Sequence, residues 1–130
     1  MLEEKKNDIA LLILRLGGGG FMLAHGVPKL MKFFADVPIK FADPLGIGMM
    51  ASLVLAVFSE FFCAIALMAG FKTRFCSLTL AITMFVAAFV VHLADPFGRK
   101  EKAIMYLVIY IALIFSGGGA FSVDRLMKKA

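Results

Sequence analysis

The chain has 130 residues, 62% of them hydrophobic, and a mean hydropathy of +0.93; one small soluble core could not hide that much apolar surface. A net charge of +5 and a pI near 9.4 would suit nucleic acid in a soluble protein. Here the bases stand where apolar runs end, so the lipid bilayer and its anionic headgroups are the expected partner and nucleic acid is not.

Four apolar runs carry the reading, since a span needs about 20 mostly apolar residues to cross roughly 30 Å of hydrocarbon. The first, about residues 9–30, follows the charged opening "MLEEKKND" and runs to the neighbourhood of Pro28. Its half-acidic opening, the interruption by Arg15 and the lack of a small-x-small site predict a retained helix rather than a cleaved signal. Pro38 and Pro44 then predict a turn-rich loop. The second run, about 47–71, holds one acid, Glu60, and stops at "GFKTRF", with Gly70 as helix C-cap and Lys72 and Arg74 at the headgroups. The third, about 75–93, halts before Pro96. The fourth, about 103–121, reaches spanning length only if the glycine run Gly117 to Gly119 belongs to it. No period-two alternation is visible, and a membrane barrel needs at least about eight strands. The expected fold is all-α, an antiparallel four-helix membrane bundle forming a single transmembrane domain over 1–130.

An even number of spans puts the N-terminus, the second loop and the C-terminal tail on one side. That side holds Lys5, Lys6, Lys72, Arg74, Arg125, Lys128 and Lys129; the other loops hold Lys32, Lys40, Arg99, Lys100 and Lys102. The positive-inside rule therefore predicts both termini in the cytoplasm. Cys63 and Cys76 flank the second turn without CxxC or metal-ligand spacing, and on a reducing side they read as free thiols, with a redox pair as the minority alternative. "GGGG" at Gly17 to Gly20 lacks the Lys and Ser/Thr of a phosphate loop and reads as close helix packing.

Ionisable residues inside a span cost at least about 2.5 to 3.5 kcal/mol each at mid-bilayer unless paired or wet, which makes their positions informative. At 100° per residue Lys29 lies about 40° from His25, and one face of the first helix carries Arg15, His25 and Lys29. On the second helix Ser52, Ser59, Glu60 and Cys63 share a sector of about 100°. On the third, His92 is expected to share a face with Ser77, Ala81, Phe85 and Ala88. Tyr106 and Tyr110 give the fourth helix its polar tips. At about 1.5 Å per residue Arg15 and Glu60 lie roughly 9 and 15 Å from the cytoplasmic ends, close enough to predict an ion pair. His25, Lys29 and His92 gather near the opposite face, as a candidate binding cluster.

The segments "LRLGGGGFMLAHGVPKL", "FSEFFCAIALMAGFKTRF", "TMFVAAFVVHL" and "GGGAFSVDRL" resemble the DoxX family of small bacterial four-helix membrane proteins over nearly the whole chain. The specific elements are His25-Gly26-x-x-Lys29, Glu60 followed by Gly70, Thr73 and Arg74, and His92 closing the third helix. Where the family pattern often has a proline, the closing run here has Gly118 or Gly119. The resemblance implies a bacterial inner-membrane location and a redox association: thiosulfate oxidation with quinone as acceptor, or oxidoreductase assemblies handling thiol stress. It points to an oxidoreductase component rather than a complete enzyme. No haem, flavin or iron–sulfur motif is present in the sequence, so a quinone or a partner's cofactor is the implied electron carrier.

Three readings follow. In the first the chain is a membrane subunit of a redox complex, with a soluble or membrane redox partner, whose His25, Lys29 and His92 hold a quinone or a sulfur anion. In the second it carries a small solute as a homo-oligomer, and in the third it is a scaffold whose polar residues lock helix register. The topology can be tested directly. In a background without the native thiols, single cysteines replacing Asp36 or Arg99 are expected to react with impermeant reagents outside intact cells, and one replacing Lys129 is not.

Overall fold

The computed structural model describes residues 2–129. Helix α1 covers Leu2–Met31 and is followed by a 3-10 turn at Lys32–Phe34. After an irregular loop come α2, Met49–Ala69, and α3, Thr73–Val91. Helix α4 covers Phe97–Ser116 and a short α5 covers Val123–Lys129. Among the described residues there is no strand. Three helices, α1 to α3, are long and apolar enough to cross a membrane.

The fourth helix corrects the expected boundaries. Helical structure begins at Phe97, so "GRKEK" forms its first turns, and it ends at Ser116. Gly117 and Gly119 take φ of +70° and +82°, a left-handed conformation open to glycine and foreign to a helix. The closing glycines are therefore a loop. The 20 residues of α4 still extend for about 30 Å, with Arg99, Lys100 and Lys102 in the turns that would meet headgroups.

The helices form a ring in which α1 packs on α2, α2 on α3, α3 on α4 and α4 on α1. Met22, Leu67, Leu80, Met84, Tyr110 and Leu113 fill its centre. Small residues set how closely α1 lies on α2. A Cβ on Gly19 would stand 2.6 Å from the Ala64 carbonyl oxygen, and one on Gly26 would overlap the carbonyl of Glu60. The two glycines are seven residues apart and share a face of α1, so the backbones touch at two levels. Opposite, the Tyr110 hydroxyl donates to the Gly18 carbonyl at 2.7 Å and ties α4 to α1.

Two wide, π-helical turns interrupt the regular ladder, Phe58–Cys63 in α2 and Ala87–Val91 in α3. Such turns add a residue to one turn and shift the phase of everything beyond it. Helix α3 stops at Val91, before the proline, and His92 forms its C-cap at φ −106°. Of the face expected to accompany His92, Ser77, Ala81 and Ala88 are buried and Phe85 is exposed.

Carboxylates fasten the loops. At one end of the bundle Asp43 accepts from the amides of Ile47 and Gly48 and from the Ser52 hydroxyl, each at 3.0 Å, fixing the entry to α2. Loss of solvent pushes the Asp43 carboxyl up, but the bonds from Gly48, Ser52, Ile47 and Gly46 outweigh it and hold the group below its ordinary range. At the other end Asp124 accepts from the amides of Lys72 and Thr73, at 2.7 and 2.9 Å, capping α3 from a distant part of the chain. Burial raises its carboxyl, and those amides more than reverse the effect. Asp8 accepts from the Ala120 amide at 3.0 Å. The N-terminal part of α1, the α2–α3 turn and the C-terminal segment are thus stitched into one end.

The glycine contacts yield a contrast. Gly26→Ala forces two backbones apart and is expected to destabilise the protein by about 1 to 3 kcal/mol. Gly17→Ala meets nothing within 4 Å and should be neutral or stabilising by up to about 1 kcal/mol through helix propensity. Thermal unfolding in detergent measures both, and equal melting temperatures would contradict the packing role of Gly26.

Candidate functional site

Helix α1 carries the chemistry along one stripe. Arg15, Gly19, Met22, Gly26 and Lys29 follow the i, i+4, i+7 pattern, so the residues that bring α1 against α2 also aim Arg15 and Lys29 into that interface. Arg15 and Lys29 lie about 40° apart on this wheel, whereas His25 lies about 80° from Arg15.

The Lys29 ammonium reaches both carboxylate oxygens of Glu60 at 2.6 Å. The Glu60 side chain is only 3% exposed and that of Lys29 27%. This corrects the expected partner, since Glu60 pairs with Lys29 and not with Arg15. Arg15, fully buried, donates instead to the carbonyls of Met68, at 3.1 Å, and Phe121. Met68 lies in the last turn of α2, where unpaired carbonyls present the negative end of the helix dipole. Gly70 makes room for this arrangement, because a Cβ there would overlap Arg15 Nη1. Depth alone allowed an Arg15–Glu60 contact; the carbonyls of a helix end outcompeted it.

Beside the Lys29–Glu60 pair a cavity of about 470 Å³ opens between α2, α3 and the loop before α2. Glu60, Lys29 and His92 line it together with the hydroxyl residues Ser52, Thr79 and Thr83, and the remaining wall is apolar. Both π-helical turns contribute, through Phe58 and Glu60 from one and Ala87 and Val91 from the other. Leu55, Phe58 and Ile82 line the cavity and are also exposed on the outer surface, so its rim faces lipid. Phe41 stands over Lys29, with the ammonium 5.7 Å from the ring centroid. Inside, Thr83 donates to Ser59 Oγ at 2.7 Å, linking α3 to α2.

The structure brings Lys29, Glu60 and His92 to one cavity and leaves His25 and Arg15 elsewhere. His25 meets the edge of Tyr106 on α4, centroids 6.0 Å apart, and Tyr106 stacks on Tyr110. His25 therefore belongs to an α1–α4 aromatic column and does not line the cavity with Lys29. His92 Nδ1 sits 2.7 Å from an Asp95 carboxylate oxygen, leaving Nε2 as the ring nitrogen able to meet a ligand. The His92 contact, the largest influence, holds the Asp95 carboxyl below its ordinary range. The sequence reading missed Thr79 and Thr83, whose one-turn spacing in an apolar run was an available signal. It also missed Phe41 and Asp95, whose roles depend on loop paths.

The DoxX family model matches residues 10–93. The chain belongs to the DoxX family. It is similar to two uncharacterized proteins of Haemophilus influenzae, 28% identical over 97% of this chain and 96% of the relative, and 29% identical over 95% and 86%. It is also similar to the inner membrane protein YqjF of Escherichia coli, 27% identical over 97% of this chain and 98% of that protein. No solved structure matches. The match spans the stretch that holds Arg15, His25, Lys29, Glu60 and His92.

The ion pair predicts its own signature. Lys29→Met or Glu60→Gln alone should cost about 3 to 5 kcal/mol by leaving the other charge buried, and the double variant should lose far less than the sum. A double-mutant cycle read by unfolding in detergent checks this; Arg15→Met with Glu60→Gln should be close to additive.

Proposed function

We propose that this DoxX-family protein is an inner-membrane component of a redox assembly and that its cavity binds the head of a quinone. The observation that carries the reading is a cavity of about 470 Å³, within the range of about 300 to 1,000 Å³ usual for small-molecule sites, with an apolar wall, a lipid-facing rim and three ionisable side chains. A neutral, lipid-borne ring fits such a wall and can enter sideways from the bilayer. Its carbonyl oxygens accept hydrogen bonds, and the chain offers donors in the Lys29 ammonium, which has a third proton beyond the two directed at Glu60, and in His92 Nε2 when the imidazole is protonated. When bound, a quinone supplies two-electron acceptor chemistry. The chain's own part is to orient it, exclude water and hold protons at Lys29 and His92.

The pairing of Lys29 with Glu60 favours this ligand over a sulfur anion, because the carboxylate already neutralises the ammonium and an added anion would be repelled by Glu60. Electrons enter from a flavin- or haem-bearing partner. The inner-membrane location accords with the name of the Escherichia coli relative, and the loop charges favour cytoplasmic termini.

Calorimetric titration of the detergent-solubilised protein with a short-chain ubiquinone analogue tests the reading. The parent is expected to bind. The double variant Lys29→Met/Glu60→Gln, chosen because it leaves no orphan charge, should bind at least about tenfold more weakly, about 1.4 kcal/mol, and His92→Gln should also be weakened. Parent and double variant with equal affinity, or a parent that does not bind, would leave the polar residues to a scaffolding role.

A further inference from the structure

Cys63 and Cys76 take no part in the cavity as described. We propose that they form a reversible two-electron pair, cycling between a dithiol and a disulfide that staples α2 to α3. Both are free thiols, 3% and 4% exposed, in the same core cluster.

Helix register brings them together. Helices α2 and α3 run antiparallel from a turn at Gly70 to Lys72, and the Thr83–Ser59 hydrogen bond fixes their alignment. One turn nearer to Gly70 on each strand of this hairpin, Cys63 comes level with Thr79, and Cys76 is the next position on the same face of α3. Both thiols are buried in that one cluster, one contributed by each helix of the hairpin. Their small neighbours in the chain, Ala64 after Cys63 and Ser77 after Cys76, are fully buried with them, which favours the close backbone approach that a disulfide's Cα separation of about 4.4 to 6.8 Å requires.

The pair is one residue away from the cavity. Thr79, level with Cys63 across the hairpin by the register of the Thr83–Ser59 bond, lines the cavity. In the oxidising direction both S–H bonds break, one S–S bond forms, and two protons and two electrons pass to the acceptor. For a quinone acceptor, both carbonyls become hydroxyls. Assigning the quinone as acceptor rests on the cavity reading above; the ability of the thiols to bridge does not.

The experiment separates these two parts. Fully reduced protein in detergent is treated without oxygen, first with diamide and separately with the short-chain ubiquinone analogue, and thiols are counted after denaturation with a maleimide that adds mass. Both oxidants are expected to remove two thiols per chain together, to yield a peptide joining Cys63 to Cys76 by mass spectrometry, and to be reversed by dithiothreitol. The quinone should yield one quinol per chain. Cys63→Ser and Cys76→Ser should each keep the fold and retain a single thiol that the quinone leaves reduced. Thiols that alkylate in the folded protein without bridging, that bridge only between chains, or that resist both oxidants overturn the pair. Bridging by diamide but not by the quinone overturns the assigned acceptor. Calorimetric binding of the analogue in that case shows the cavity reading intact, and its absence shows that reading to be at fault.

Discussion

Glu60 is a carboxylate with almost no solvent access in a helix built to stand in hydrocarbon, and much of the molecule's geometry follows from keeping it paired. An uncompensated carboxylate there would cost several kcal/mol. Its partner must arrive from another helix, and Lys29 does so only because α1 lies unusually close. The closeness comes from Gly26, which sits directly on the backbone carbonyl of Glu60. The ammonium and the glycine that delivers it are three residues apart, one turn of one face. The π-helical turn at Phe58–Cys63 completes the arrangement by widening α2 around Glu60. The widened backbone also contributes to the cavity beside the pair.

At the opposite end a second charge is accommodated by different means. Among the described residues Arg15 has no carboxylate in contact, and it is held by carbonyls from the end of α2 and from the closing loop. Because Phe121 lies beyond the glycine run, the arginine binds the C-terminal segment as well as α2. Asp124 and Asp8 add caps across the same junction. Sequence-distant pieces thus converge on one polar centre, and Gly70 and Gly118 stay small because Arg15, Thr73 and Ser122 occupy the space a side chain would need.

The spans were legible because apolar run length is a direct consequence of bilayer thickness, and the buried sector of α2 was legible because Ser52, Ser59, Glu60 and Cys63 recur at helical spacing. All four are buried. What was not legible depended on backbone groups, which carry no letter in the sequence. Carbonyls of Met68 and Phe121 are invisible partners, so depth arithmetic gave Arg15 to the nearest acid. The π-helical turn at Ala87–Val91 shifts the phase of α3 beyond it, so uniform counting misjudged the company of His92, while Phe85, before that turn, sits at the edge of the buried face and is exposed. A count of apolar letters extended the fourth span through Gly117 to Gly119, where positive φ angles end the helix. His25 and Lys29 looked like one site because they are a turn apart, but the pair straddles the edge of the α1–α2 interface and each residue turns to a different neighbour.

A buried ion pair is weak evidence of stability, since well-packed apolar residues of similar volume often do as well or better. Stability alone therefore does not account for Lys29 and Glu60. Their position does more, because they stand at the wall of a lipid-facing cavity rather than sealed between helices. A neutral pair adds no net field to repel an uncharged ligand, yet keeps an ammonium able to donate and a carboxylate able to accept. The same polar pair in the middle of the α1–α2 interface could serve register alone. At the edge of a cavity bordered by His92 and two threonines, it can also meet a molecule that enters from the bilayer, and that difference favours a ligand site over a purely architectural bundle.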